Sequence, residues 1–410
     1  MNEPRPSPVP DVSLARKLSF AALITLVALA LIEGAARITQ RVRGAPPAAP
    51  ASADTNWLGI LERDLPLEDP AARLYARDRQ LFWTLRPRTN LRVENSVYRT
   101  RGEPIRWSIA INADGFRGRP LTDTASDAKP VVAAFGDSCT FGFRVDDGDT
   151  YPAQLERRLV EGGWPGAAVL NYGVPGYTSF QGRRLLDGVL QQRAPDFVIL
   201  AFGANDLEAD RYSDAEKARR GVGWRARLRP LLDRSAAVRM LRGTPAAART
   251  APGDRAPTAV RVSDAEYREN LRAMITAARD AGSRVLLLDL VFVSPVFRPA
   301  LRDLAAAEGV VRIAGPDVLG RGLAELLAGH RFRDERAAID RFWEEEVESY
   351  REVYYPPRFY ARLRADPHWR DLLRYLMIEP VHPNALGQQL IAEAVGDWIL
   401  GEFGPPHPRR

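Results

Sequence analysis

The stretch VVAAFGDSCTFGF, Val131 to Phe143, is an apolar run that stops at Gly136 and continues with the acid Asp137 and the small polar residues Ser138, Cys139 and Thr140. An apolar run without polar alternation is the pattern of a strand buried on both faces, as in a parallel sheet covered by helices. Further runs of this kind follow: AAVLNYG (167–173), DFVILAFG (196–203), RVLLLDL (284–290) and VVRIAG (310–315). Between them lie segments with helix-start signals. Pro152 suits the first turn of a helix over 151–162. Thr178 with Gln181, and Ser263 with Glu266, have the spacing of capping boxes for helices over 179–192 and from Ser263 to about Gly282. Leu386, Leu390, Ile391, Val395, Trp398 and Ile399 keep a helical period in a last helix. The expected fold class is α/β: a three-layer α/β/α sandwich with a parallel sheet.

Working outward, the rest of the 410 residues divides by composition. Residues 18–38, LSFAALITLVALALIEGAARI, are apolar as far as Glu33 and follow Arg16 and Lys17. A spanning helix needs roughly 20 residues, so a transmembrane signal anchor is expected here. A cleavage site of small residues would lie just beyond the run, whereas the Ala51-Ser52-Ala53 pattern is far downstream. The expected organisation is a short N-terminal tail (1–17), the anchor (18–38), a Pro/Ala-rich linker (39–53), an extension with short strands (54–128) and a main domain (129–404). Two insertions interrupt that domain, at 207–260 and 331–378. The first carries a basic amphipathic stretch, 223–243, and the second is expected to pack helices over one end of the sheet. Arg16 and Lys17 favour an N-terminus on the cytoplasmic side, which places the main domain outside the cytoplasm.

Net charge is +6, from 58 Lys and Arg against 52 Asp and Glu, with no basic stretch interleaved with aromatics, so nucleic acid is not an expected partner. A single cysteine, Cys139, excludes an intramolecular disulfide and a cysteine-based zinc site. GDSCTFG lacks the Gly-Lys-Ser/Thr end of a phosphate loop. Thr140 stands where the nucleophile elbow Gly-x-Ser-x-Gly needs glycine.

In an open parallel sheet, ligands bind beyond the carboxyl ends of the strands. Three polar clusters fall at such ends: Gly136-Asp137-Ser138, Asn171-Tyr172-Gly173 and Gly203-Ala204-Asn205-Asp206. Ser138 is thereby aimed at a shared crevice. A nucleophilic serine needs a base. Of the four histidines, His330, His368, His382 and His407, only His382 lies in a loop directly before the last helix, with Glu379 three residues earlier to hold its other ring nitrogen. Nucleophile, base and orienting acid are the arrangement of acyl transfer. The N–H groups of Ser138 and Gly173 and the Asn205 side chain are candidate oxyanion donors. Taken alone, Asn205 reads equally as a turn residue. Asp137 and Asp206 read as loop-holding residues, and Cys139 as a small packed side chain.

These blocks resemble the SGNH hydrolases, also called GDSL esterases and lipases. GDS carries Ser138, NYG carries Gly173, GAND carries Asn205 and EPVHPNALG carries His382, over about 130–206 and 284–400. The resemblance implies a flavodoxin-like sheet, Ser138 as nucleophile, His382 as base, and an oxyanion hole of Ser138, Gly173 and Asn205. Relatives usually have Asp three residues before the histidine; here that position is Glu379. The apolar N-terminal run, NADGFRG and the insertions resemble a membrane-anchored bacterial branch, some members of which move acyl groups on envelope polysaccharides. The expected function is serine-dependent hydrolysis of a carbohydrate or lipid acyl ester through an acyl-enzyme, at a bacterial inner membrane, with no metal or organic cofactor. Two alternatives fit the same residues: an acyltransferase with a sugar hydroxyl in place of water, and a non-catalytic scaffold in which Glu379 marks decay.

Overall fold

The computed structural model of the chain describes residues 32–39, 74–100, 103–125, 128–210, 212–221, 259–290, 297–329, 333–342, 367–378 and 381–404. The chain divides into two compact units, 1–54 with 222–255, and 55–221 with 256–410. In the first unit residues 32–39 are helical. Residues 18–31 of the expected anchor, most of the linker and the basic stretch 223–243 lie outside the described residues. Among the described residues, no helix is long and apolar enough to cross a membrane.

The second unit opens with an antiparallel pair, β1 (Tyr75–Arg77) and β2 (Trp83–Leu85), and a hairpin, β3 (Asn90–Thr100) and β4 (Glu103–Ala110). The alternation of strand and helix then begins with β5 (Val131–Gly136), α1 (Ser138–Phe141), α2 (Tyr151–Glu161), β6 (Ala168–Gly173), α3 (Ser179–Leu190) and β7 (Phe197–Ala201). It continues through β8 (Ala209–Asp210), α4 (Asp214–Gly221), β9 (Ala259–Val260), α5 (Asp264–Asp280), β10 (Arg284–Asp289) and α6 (Phe297–Glu308). The last elements are β11 (Val311–Ala314), α7 (Gly315–Ala328), α8 (Arg333–Phe342), α9 (Pro367–Leu376) and α10 (Ala385–Phe403).

Each of the apolar runs is a strand, and they form one parallel sheet in the order β11-β10-β7-β5-β6. Counted along the chain this is the 2-1-3-4-5 order of flavodoxin-like folds. Period-2 alternation divides the strand side chains between two cores. Val131, Ala133 and Phe135 face α3, α5, α6 and the aromatic residues of β2 and β4. Val132 and Ala134 face α2, α7, α9 and α10. Both capping boxes form: Thr178 and Gln181 open α3, and Ser263 and Glu266 open α5.

Helix α9 differs from the expectation for 331–378. Leu372, Leu373, Tyr375 and Leu376 are buried in the same core as Val132 and Ile199, so 367–376 belongs to a covering layer of the sheet and does not cap its end. The spacing of Leu372, Leu373 and Leu376, which places them on one face of the helix, is the physical reason. The 207–260 insertion closes at its base, where β8 and β9 pair antiparallel; 222–258 lies outside the described residues.

Candidate active site

Strand pairing brings the expected site to one edge. Gly136 at the end of β5 pairs with Gly173 at the end of β6 and with Ala201 at the end of β7. In the 2-1-3 order, the switch point lies between β5 and β7, where the crossovers diverge and leave a crevice. Gly136 is required by close approach: a Cβ there would sit 2.1 Å from Thr140 Oγ1 and 2.7 Å from the Ala201 carbonyl. That clearance lets the chain turn directly into α1. Asp137 caps the helix, its Oδ1 accepting from the Cys139 N–H at 2.9 Å. Burial pushes the Asp137 carboxyl up to about 6, while the Cys139 N–H and the nearby His382 pull the other way. Ser138 is the first residue of α1, where N–H groups have no intrahelical acceptor.

His382 Nε2 lies 2.7 Å from Ser138 Oγ across 244 residues of sequence. The loop between α9 and α10 that carries it is closed by two backbone bonds, Ile378 N–H to the His382 carbonyl and Asn384 N–H to the Leu376 carbonyl, both 2.9 Å. Asn384 caps α10 by accepting from the Gly387 N–H at 3.0 Å. Gln388, on the first turn of α10, donates to the Cys139 carbonyl at 3.3 Å and accepts from the Tyr151 N–H at 2.8 Å, so the helix behind the histidine is tied to the helix that starts with the serine. Cys139 is buried as expected, but its thiol also has a partner, the Val381 carbonyl at 3.4 Å, one residue before His382. The Phe143 ring lies 5.1 Å from the imidazole, centroid to centroid.

The three expected oxyanion donors sit at the same edge. Asn205 Nδ2 donates to the Tyr177 carbonyl at 3.0 Å and approaches Asp137 Oδ2 at 3.4 Å. The Gly173 N–H donates to Asn171 Oδ1 at 2.9 Å, so an oxyanion must displace that amide oxygen to use it. A Cβ on Gly173 would meet the Phe141 nitrogen at 2.2 Å, which is why β6 ends in glycine against α1. Asp206 is fully buried and caps α3, accepting from the Ser179 N–H at 3.0 Å and from its hydroxyl. Burial raises its carboxyl to about 7, against the pull of those donors and of Arg261. It is a loop-holding acid, as read from the sequence. Glu379, His330 and His407 lie outside the described residues, as does the side chain of His368 on α9. Among the described residues, no cluster of His, Cys, Asp and Glu is placed to hold a metal ion.

The sequence reading missed Arg117, Asn171 and Gln388, all buried beside the site. Asn171 was visible as part of NYG and Arg117 as part of NADGFRG, but nothing in one sequence says which side chains turn inward.

With its ring proton on Nδ1, His382 can accept the Ser138 hydroxyl proton at Nε2. The arrangement is suited to nucleophilic acyl chemistry. Residues 134–390 match the model of the "GDSL-like Lipase/Acylhydrolase family". The chain is 33% identical over 82 residues to an arylesterase of Vibrio mimicus, a match covering 20% of this chain and 40% of that one. Among solved structures, a putative lipolytic protein of the G-D-S-L family from Desulfitobacterium hafniense is 14% identical, with 66% of this chain and 99% of that chain covered at a TM-score of 0.36. A lipase/acylhydrolase from Enterococcus faecalis is 17% identical, with 68% and 99% covered at 0.36.

Proposed function

The chain belongs to the GDSL-like lipase/acylhydrolase family, and from that premise we propose that it hydrolyses carboxylic esters through an acyl-enzyme on Ser138. The contact between His382 Nε2 and Ser138 Oγ, 2.7 Å, carries the reading. In acylation, Oγ bonds to the acyl carbon as its proton passes to Nε2. The C–O bond to the alcohol then breaks, and His382 returns the proton to the departing oxygen. In deacylation, water takes the place of the serine: its proton goes to His382, its oxygen to the acyl carbon, and Ser138 leaves with the proton back on Oγ. The developing oxyanion is met by the Ser138 N–H, with the Gly173 N–H joining once Asn171 releases it and Asn205 Nδ2 once it turns from the Tyr177 carbonyl and Asp137. The acyl donor is a carbohydrate or lipid ester. Incubation with acylated envelope glycans and aryl esters tests this directly: free acid is the expected product, and acyl groups on an added sugar acceptor would assign group transfer in place of hydrolysis.

Glu379 is proposed as the acid that accepts from His382 Nδ1. Its carboxylate stands one methylene further from the backbone than that of Asp, and glutamate can still reach the ring of a histidine three residues on. Glu379→Gln is expected to keep the fold and lower turnover by roughly 10²–10⁴-fold, the scale for a general base that loses orientation and charge support. Steady-state kinetics on any accepted ester checks it. Turnover within a few-fold of wild type would leave Ser138 and His382 as a dyad.

The N-terminal apolar run is proposed to anchor the protein in a bacterial inner membrane, with the catalytic unit on the far side from the cytoplasm. Arg16 and Lys17 before the run support that orientation. An alkaline phosphatase fusion after residue 400 should be active. Activity of a cytosolic reporter alone at that position would reverse the assignment.

A further inference from the structure

Arg117 is 1% exposed, although it lies outside the sheet, in the segment that leads from β4 to β5. A guanidinium taken out of water is costly unless every donor is satisfied. Here all five N–H groups have acceptors. Nε donates to Asp147 Oδ1 at 2.6 Å. One terminal nitrogen serves the carbonyls of Phe141, at 3.1 Å, and Gly142. The other serves the carbonyls of Ser108, at 2.6 Å, and Val145, at 2.7 Å. Three of the four carbonyls belong to 141–145, the turn that follows the nucleophile.

The peptide units that receive Arg117 also hold Ser138. The unit whose carbonyl is Phe141 has as its N–H that of Gly142, which donates to the Ser138 carbonyl at 3.1 Å. The next unit, with the Gly142 carbonyl, has the Phe143 N–H, which donates to the same Ser138 carbonyl at 3.0 Å. Each unit is thus polarised by a cation on one side and grips the nucleophile's backbone on the other. Gly142 is left-handed (φ 78°), and a Cβ there would lie 2.3 Å from Thr150 Cγ2, so this turn has one tight geometry to hold. It also presents Phe143 to the His382 ring. On its other side, Arg117 pairs through its backbone with Asn171, the residue whose side chain holds the Gly173 N–H.

We infer that Arg117 is a positioning residue for the Ser138–His382 pair, acting through the 141–145 turn, so that the segment before the sheet is part of the catalytic machinery. The inference rests on the hydrolase reading above. Lysine keeps the charge but has three donors from a single nitrogen and no planar fork, so it cannot satisfy acceptors spread over three directions. A displacement of about 1 Å at a reacting atom costs on the order of 10²-fold in rate.

The test measures kcat, KM, the rate of fluorophosphonate labelling and the thermal midpoint in the full-length chain. Arg117→Lys should fold with a lowered midpoint and show kcat reduced by about 10- to 100-fold, with KM little changed and labelling slowed in parallel. A structural role alone would lower the midpoint and leave kcat per folded molecule intact. If Arg117→Lys does not fold, Asp147→Asn decides. It keeps the carbonyl contacts and loses the charged partner that aims the fork, and should lower kcat by about 3- to 10-fold at unchanged KM. Folded variant with kcat within about twofold of wild type, where wild type labels at Ser138, overturns this inference alone. Wild-type protein that neither labels nor turns over ester overturns the hydrolase reading with it.

Discussion

Ser138→Ala is expected to remove ester turnover almost entirely, with a fall in kcat on the order of 10⁶-fold, the scale seen when a serine nucleophile is deleted from an intact site. The substitution removes the atom that forms the acyl bond and little else. The cap on α1 comes from Asp137, and the turn behind the serine is held by the Ser138 backbone carbonyl, which alanine retains. The fold and the thermal midpoint should therefore be preserved, and oxyanion donors and binding surface should remain. That leaves residual catalysis roughly 10³–10⁴ above the reaction in water. Hydrolysis of an aryl ester, followed beside circular dichroism of the same sample, checks both halves. Turnover near the wild-type rate by folded Ser138→Ala protein would mean that another group, or a directly activated water, does the chemistry.

His382→Ala should be as damaging as the loss of Ser138, and the double variant no worse than either single one. The imidazole does two jobs that no neighbour can take over: it removes the Oγ proton during attack and delivers it to the leaving oxygen. Without it, the serine is a neutral alcohol and a weak nucleophile. Residues that act as one unit lose their effect together, so the two single losses, each on the order of 10⁶-fold, do not multiply. The backbone of the histidine loop is fixed by its own bonds, Ile378 to His382 and Asn384 to Leu376, so alanine leaves the loop in place. Kinetics on the two single variants and the double variant give the coupling. A double variant slower than both singles by a large factor would show that Ser138 and His382 act in separate steps.

Much of the fold was legible because its signals are local. A parallel strand covered on both faces is mostly apolar, so the buried runs from VVAAFG to RVLLLD could be read directly, the glycines at 136 and 173 marked where two of them stop, and only the edge strand VRIA is half-exposed. Capping boxes at Thr178 and Ser263 are decided within four residues, and both form. The contact between Ser138 and His382 could be anticipated because chemistry restricts the partner of a candidate nucleophile to very few side chains, and one histidine stood directly before the last helix. What stayed hidden depends on contacts made far along the chain. Arg117 reaches 24 to 28 residues forward to the 141–145 carbonyls. An arginine in a glycine-rich turn reads as solvent-exposed until the fold shows acceptors on every side of it. The hold of Asn171 on the Gly173 N–H is local, yet it depends on a rotamer that spacing does not encode. Helix α9 carried a readable apolar stripe, but its neighbours in 331–378 are so rich in charge and aromatics that the whole segment read as helices packed over one end of the sheet.

The central claim is a covalent acyl-serine with His382 as its base. Intact-mass measurement and peptide mapping after reaction with a fluorophosphonate test it most directly. One adduct per chain is predicted, on the peptide containing Ser138, with none on Ser138→Ala protein and slow labelling of His382→Ala. Folded wild-type protein that takes up no adduct, or carries it on a different residue, would contradict the account.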